Sequence, residues 1–144
     1  MLHRTLPQLI GLVVVAAVCG GALWRGGRDE RMTAIALLLA TAASPLLQHR
    51  NWVDPEYGVL VVDVLLLAYL FVLALRSDRH WPLAAAAFHL LGVITHVAIM
   101  VDHGVRAWAY LTALVIWSYL VFAALAVGTW MYRRDLARAA AGEA

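Results

Sequence analysis

One carboxylate lies deep inside an apolar run, in Val61-Val62-Asp63-Val64-Leu65, and three histidines recur at seven-residue intervals, His89, His96 and His103. A charged side chain at bilayer depth costs roughly 2.5–3.5 kcal/mol on insertion scales. It persists where it is protonated, paired or hydrated, so such a residue points to a proton, ion or ligand site. On a helix, seven residues return a side chain to within about 20° of the same face. His89, His96 and His103 therefore mark one stripe, with Val93 and Met100 between them.

Depth joins the two observations. Asp63 lies six residues inside Tyr57, about 9 Å at a rise of 1.5 Å per residue. His96 lies six residues inside Asp102, again about 9 Å. Both edges fall on the same side of a membrane if successive apolar segments cross it in turn. An imidazole and a carboxylate then share a level, and can pair if their helices are neighbours with these faces inward. Thr41, Ser44, Thr95, Tyr110 and Thr112 fall in the same half, and the opposite half reads as nearly all aliphatic.

Three chemistries suit these residue types. Asp63 and His96 can exchange a proton or hold an ion. His96 or Tyr110 can donate to the carbonyl of a quinone or a lipid head group. His89 and His103 have the fourteen-residue separation used to hang two haems on one helix, but that needs matching histidines on a second helix, and the chain has none. What remains for haem is one group shared between His96 and a histidine of another protein. A metal site fits less well. Ligands on a helix usually come three or four residues apart, and His89 and His96 are separated by about 10.5 Å along the axis. Beside all of these stands a purely architectural reading. A buried Asp–His pair can serve only to orient helices, at an average of about 0.6 kcal/mol per membrane hydrogen bond. His89 by itself reads as a satisfied interhelical histidine.

The elements that must position these groups are membrane helices. Of 144 residues, 64% are hydrophobic and 14% charged, against about 45–50% and 25% in soluble domains. The mean hydropathy is +0.80. The single cysteine, Cys19, excludes an internal disulfide, a Cys-rich zinc site and an iron–sulfur cluster. All eleven basic residues are arginine, so no lysine is present to form a retinal or pyridoxal Schiff base. No arginine cluster is dense enough for a nucleic-acid face.

The apolar segments are predicted to span at about 7–24, 32–48, 57–75, 81–101 and 108–132, as one integral membrane domain over 1–144 with a helical tail at 133–144. Whether Met32–Gln48, which is short and carries Pro45, crosses fully decides the topology. With five spans, Arg25, Arg28, Arg31, Arg76, Arg79, Arg133, Arg134 and Arg138 share one side, and Arg4, Arg50 and Arg106 the other. The positive-inside rule then places the N-terminus outside and the C-terminus inside. Trp24, Trp81 and Trp130 fall at the inner interface, Trp52 and Trp108 at the outer one, and Trp117 mid-span. The first segment is expected to be retained. It is too long for a typical signal h-region, and Val18 sits before Cys19 where a lipoprotein site needs a small residue.

The connector Arg25–Arg31 reads as a solvated turn, with Asp29 and Glu30 favoured by the dipole of the helix they open. The loop 49–56, with Trp52, Asp54 and Glu56, could cap the polar cluster or meet a partner. Small residues at four-residue spacing, Ala16/Gly20, Ala17/Gly21, Ala36/Ala40/Ser44 and Ala124/Gly128, let helices approach closely, either within the bundle or against another protein.

No phosphate loop, nucleophile elbow, zinc-protease or DNA-binding signature is present. The expectation is an all-α polytopic bundle of five spans in a bacterial inner membrane. Its partners are the lipid bilayer and other membrane-protein subunits, not nucleic acid. It is expected to be a small non-catalytic accessory or assembly subunit of a larger complex, with no cofactor of its own. The alternative is a stand-alone binding or transport module for a proton, quinone or haem, built on Asp63, His96, His89 and Tyr110.

Overall fold

The computed structural model describes residues 2–47, 57–101 and 106–142. Among them there is no strand, and five helices account for almost everything: α1 (Leu2–Arg25), α2 (Arg28–Leu47), α3 (Tyr57–Arg76), α4 (Trp81–Val101) and α5 (Ala107–Ala140). Helices are the form in which an apolar chain satisfies its own backbone without water. α2 to α5 are each long and apolar enough to cross a membrane, and the stretch Leu9–Arg25 of α1 is a shorter apolar helix.

Helix ends follow local chemistry. α2 starts at Arg28, ahead of its apolar run, so that Asp29 and Glu30 occupy its first turn, where the helix dipole favours acid. Pro45 lies inside α2 only two residues from its end, where it removes one i→i−4 hydrogen bond and the helix stops soon after. Pro82 opens α4, at a position that has no intrahelical N–H partner to lose. α5 runs straight through its arginines to Ala140 and closes with the Ala141 N–H on the Ala137 carbonyl and Gly142 at φ +75°. The helical tail expected after residue 132 is therefore a direct extension of α5.

Each helix packs on its sequence neighbours, α5 returns to α1, and α2 touches α5 across the middle. Contacts at the ends show the alternating direction. The start of α2 meets the start of α4 through Glu30 and Trp81. At the other end, Leu47 closes on Gly58 so tightly that a Cβ there would come 3.0 Å from the Leu47 Cβ. Leu37, Leu66, Leu70, Val121 and Leu125 form the buried centre. The outside is apolar as well: Leu12, Leu65 and Leu75 are all largely exposed. A soluble monomer keeps exposed apolar patches to a few hundred Å². The exterior suits lipid.

Two expectations fail at the end of the bundle that holds the α1–α2 turn. The turn is solvated only at Arg25, Arg28 and Arg31. Only Gly26 and Gly27 separate the helices, both are buried, and Glu30 is 1% exposed. A Cβ on Gly27 would come 2.8 Å from the Tyr132 ring of α5, so the turn is compressed beneath α5. That half is not all aliphatic either. Thr33 is fully buried and hydrogen-bonded to the Tyr69 hydroxyl at 3.2 Å.

The small-residue stripes divide. Gly128 lies under Trp81, where a Cβ would come 2.6 Å from the indole, so Ala124 and Gly128 serve internal packing. Ala16, Ala17 and Gly20 of α1 face outward, and nothing lies within 4 Å of a Cβ built on Gly20.

Candidate functional site

α3 and α4 run in opposite directions, so a residue early in α3 meets residues late in α4. Asp63 thereby falls between His89 and His96, which the seven-residue spacing puts on one face of α4. His96 Nε2 lies 2.9 Å from Asp63 Oδ2. His89 Nε2 lies 3.9 Å from Asp63 Oδ1 and 2.9 Å from the Asp63 backbone carbonyl oxygen. A carbonyl only accepts, so His89 carries its proton on Nε2, which leaves Nδ1 as the lone-pair nitrogen when the ring is neutral.

The third helix enters through α5. The Tyr110 hydroxyl is 2.7 Å from His96 Nδ1, and the two rings meet edge to face at 5.5 Å. Both nitrogens of His96, a residue 5% exposed, are therefore engaged. Two proton arrangements satisfy the chain Tyr110–His96–Asp63. In one, Tyr110 donates to Nδ1 and Nε2–H donates to the carboxylate. In the other, the carboxyl donates to Nε2 and Nδ1–H donates to the tyrosine oxygen. Moving one proton along each link shifts the negative charge from the Asp63 carboxylate to a tyrosinate at Tyr110, whereas with Tyr110 kept neutral the second arrangement holds one proton more than the first, so the chain can take up or release a single proton.

The relay borders a cavity of about 230 Å³, lined among others by Ser44, Gly92, Trp117 and Ser118. A second space of about 120 Å³ lies against the centre of the bundle, bordered by Leu37, Thr41, Leu66 and Phe122 and sharing Asp63, His89, Ser44 and Ser118 with the first. The mid-span Trp117 thus faces a cavity rather than lipid alone.

Of the polar residues placed at this depth from sequence, Asp63, His89, His96, Tyr110 and Ser44 come together, and Thr41 reaches only the inner space. Thr95 and Thr112 share the level but not the site. Their hydroxyls turn back onto the carbonyls of Leu91 and Trp108 in their own helices. His103 and the loop residues Trp52, Asp54 and Glu56 lie outside the described residues.

Sequence reasoning missed a second polar cluster at the opposite end. Trp81 donates its indole N–H to Glu30 Oε1 at 3.0 Å. Arg79 reaches Glu30 at 3.6 Å and Asp135 at 3.7 Å, with its guanidinium over the Tyr132 ring. Ser77 donates to Asp29. Trp81 is 4% exposed, so it is a buried strut and not an interfacial anchor. Trp24, Trp108 and Trp130 are exposed, as anchors would be. The available signal was the acidic pair of the α1–α2 turn recurring at the same level as Arg79 and Trp81.

Between the two clusters lie the aliphatic side chains of Leu66, Leu70, Val121 and Leu125, with Tyr69 packed beside them. A scan against protein-family models finds no match to this chain, and neither do comparisons with curated proteins and solved structures.

Proposed function

We propose that this chain is a small non-catalytic membrane module that binds a hydrogen-bonding head group of quinone type at Asp63, His96 and Tyr110 and exchanges a proton with it. The observation that carries the reading is the convergence of three helices on one cavity through a relay whose groups are all paired. Polar groups inside a membrane are retained for function more often than for the modest stability they add.

Size and chemistry narrow the ligand. A cavity of about 230 Å³ is below the roughly 300–1,000 Å³ of drug-sized sites, so it suits a single substituted ring or a few waters. Haem ligation by His96 would require breaking a bond to Tyr110 or Asp63. Through-conduction of protons is disfavoured by the aliphatic side chains beneath the site. A neutral ligand with carbonyl oxygens needs no countercharge, and by accepting from Tyr110 or His96 it replaces one bond of the relay with another rather than losing it.

In this reading the chain spans a bacterial inner membrane five times, N-terminus out, by the arginine distribution. The site then opens in the outer half. Quenching of Trp117 by a short-chain ubiquinone in detergent tests the proposal. Saturable quenching is expected in the parent protein, with loss in Asp63→Asn and Tyr110→Phe. Saturable binding that persists unchanged in both variants overturns it.

A second reading, an accessory subunit of a larger membrane complex, is favoured by the outward small-residue face of α1 at Ala16, Ala17 and Gly20. Mild-detergent extraction from the native membrane decides it. Co-migration with another membrane protein supports it, and a lone monomer removes it.

A further inference from the structure

α5 outruns its neighbours. From Trp108 to Ala140 it covers 33 residues, about 50 Å at 1.5 Å per residue, against a hydrocarbon core of about 30 Å. α1 stops at Arg25. Its end and the overhanging turns of α5 border an open notch, lined by Trp24, Arg25, Arg133, Leu136 and Ala137.

Charge and apolarity are combined there in an unusual way. Arg25 and Arg133 enter from different helices, and neither is in an ion pair among the described residues. The Arg25 guanidinium rests over the Trp24 ring, 5.2 Å from its centroid, which restrains the cation at the rim. The nearby carboxylates are committed elsewhere: Glu30 to Trp81 and Arg79, Asp135 to Arg79, Asp29 to Ser77. The rest of the lining is apolar, and it continues into the exposed face of α1.

We propose that this notch seats the head group of an anionic phospholipid. The phosphate lies between the Arg25 and Arg133 guanidinium groups, whose planar forks match phosphate oxygens. The acyl chains descend along the exposed apolar flank of α1. Two uncompensated cations above an apolar groove, at the level where a long helix leaves the hydrocarbon, complement a lipid in both of its halves. An acidic protein segment would complement only the arginines.

The test is native mass spectrometry of the delipidated protein titrated with dioleoylphosphatidylglycerol or dioleoylphosphatidylcholine. The first phosphatidylglycerol should bind about thirtyfold more tightly, the scale set by two arginines at a membrane surface. The R25Q/R133Q double variant should lose most of that preference. R138Q, on the same helix but outside the notch, should keep it. Equal affinity for the two lipids overturns the proposal. So does a preference that survives in R25Q/R133Q or falls equally in R138Q. Displacement of bound phosphatidylglycerol by equimolar inorganic phosphate would show a bare anion site and also overturn it.

Discussion

The Trp81 indole N–H points at the Glu30 carboxylate across the end of the bundle, 3.0 Å away, with both residues almost completely buried. This bond ties the first turn of α2 to the first turn of α4, and Arg79 extends it to Asp135 of α5. Three helices are clamped at one end by Glu30 and Asp135, joined through Arg79. The Asp63 site at the other end shares α4 and α5 with this clamp and depends on their holding register.

Glu30→Ala is therefore expected to be among the most destabilising single substitutions. It strands the Trp81 N–H and one partner of Arg79, and an unsatisfied buried donor costs roughly 1–3 kcal/mol. Glu30→Gln keeps an acceptor for the indole and should lose less. Thermal unfolding in detergent reads the difference. Equal stability of Glu30→Ala and the parent protein would show that the clamp contributes nothing.

Gly128 and Gly20 make a matched pair. At Gly128 a new Cβ would come 2.6 Å from the Trp81 ring, and overpacking of this kind costs about 1–3 kcal/mol. At Gly20 the space is open, so Gly20→Ala should hold or slightly raise stability through the better helix propensity of alanine. The same unfolding measurement compares them, with the Trp81 displacement visible as a shift in emission from Gly128→Ala. Should Gly20→Ala leave the isolated protein intact yet weaken association in native membranes, the accessory reading gains its first direct support.

Tyr110→Phe separates binding from stability. The substitution deletes the 2.7 Å contact to His96 Nδ1, yet membrane hydrogen bonds average about 0.6 kcal/mol. Unfolding should barely change while quinone binding is lost. A large drop in stability together with undiminished binding would assign the tyrosine to architecture.

The histidine tautomers are open to direct measurement. The backbone carbonyl of Asp63 requires the Nε2–H form of His89 whenever that ring is neutral. Nitrogen-15 NMR of histidine-labelled protein should show it. A neutral His89 protonated at Nδ1 would contradict the geometry. For His96, the same spectrum tells which of the two relay arrangements is populated.

The pairing of Asp63 with His96 was legible from the chain because depth can be counted along a helix. Counting residues from a membrane edge needs only the helical rise, and both fall about 9 Å in. Depth is a single coordinate, however. Thr95 and Thr112 have the right depth and face their own backbones, because their positions around the helix turn them away from the cavity. The reach of His89 to a main-chain oxygen of α3 had no signal in side-chain chemistry at all.

Glu30 shows the same division from the other side. Next to Asp29 at a helix start, it reads as an ordinary complement to the helix dipole, a property of one segment. Its burial arises because two glycines let α1 and α2 close so tightly that α5 and α4 cover the turn. No local pattern encodes that covering.

Composition and the long apolar runs without strand-like alternation determined that this chain forms apolar helices, one of the two forms that satisfy a backbone in lipid, and helical periodicity alone lined up His89 with His96. Only the tertiary structure decided which faces meet: that Tyr110 completes the relay, that Glu30 is buried, and that α1 turns its small residues outward. The physical reason is that helix formation is a local matter of propensity and hydrogen bonding, whereas the rotation of one helix against another is set by side chains far apart in sequence, through contacts that exist only once the bundle has closed.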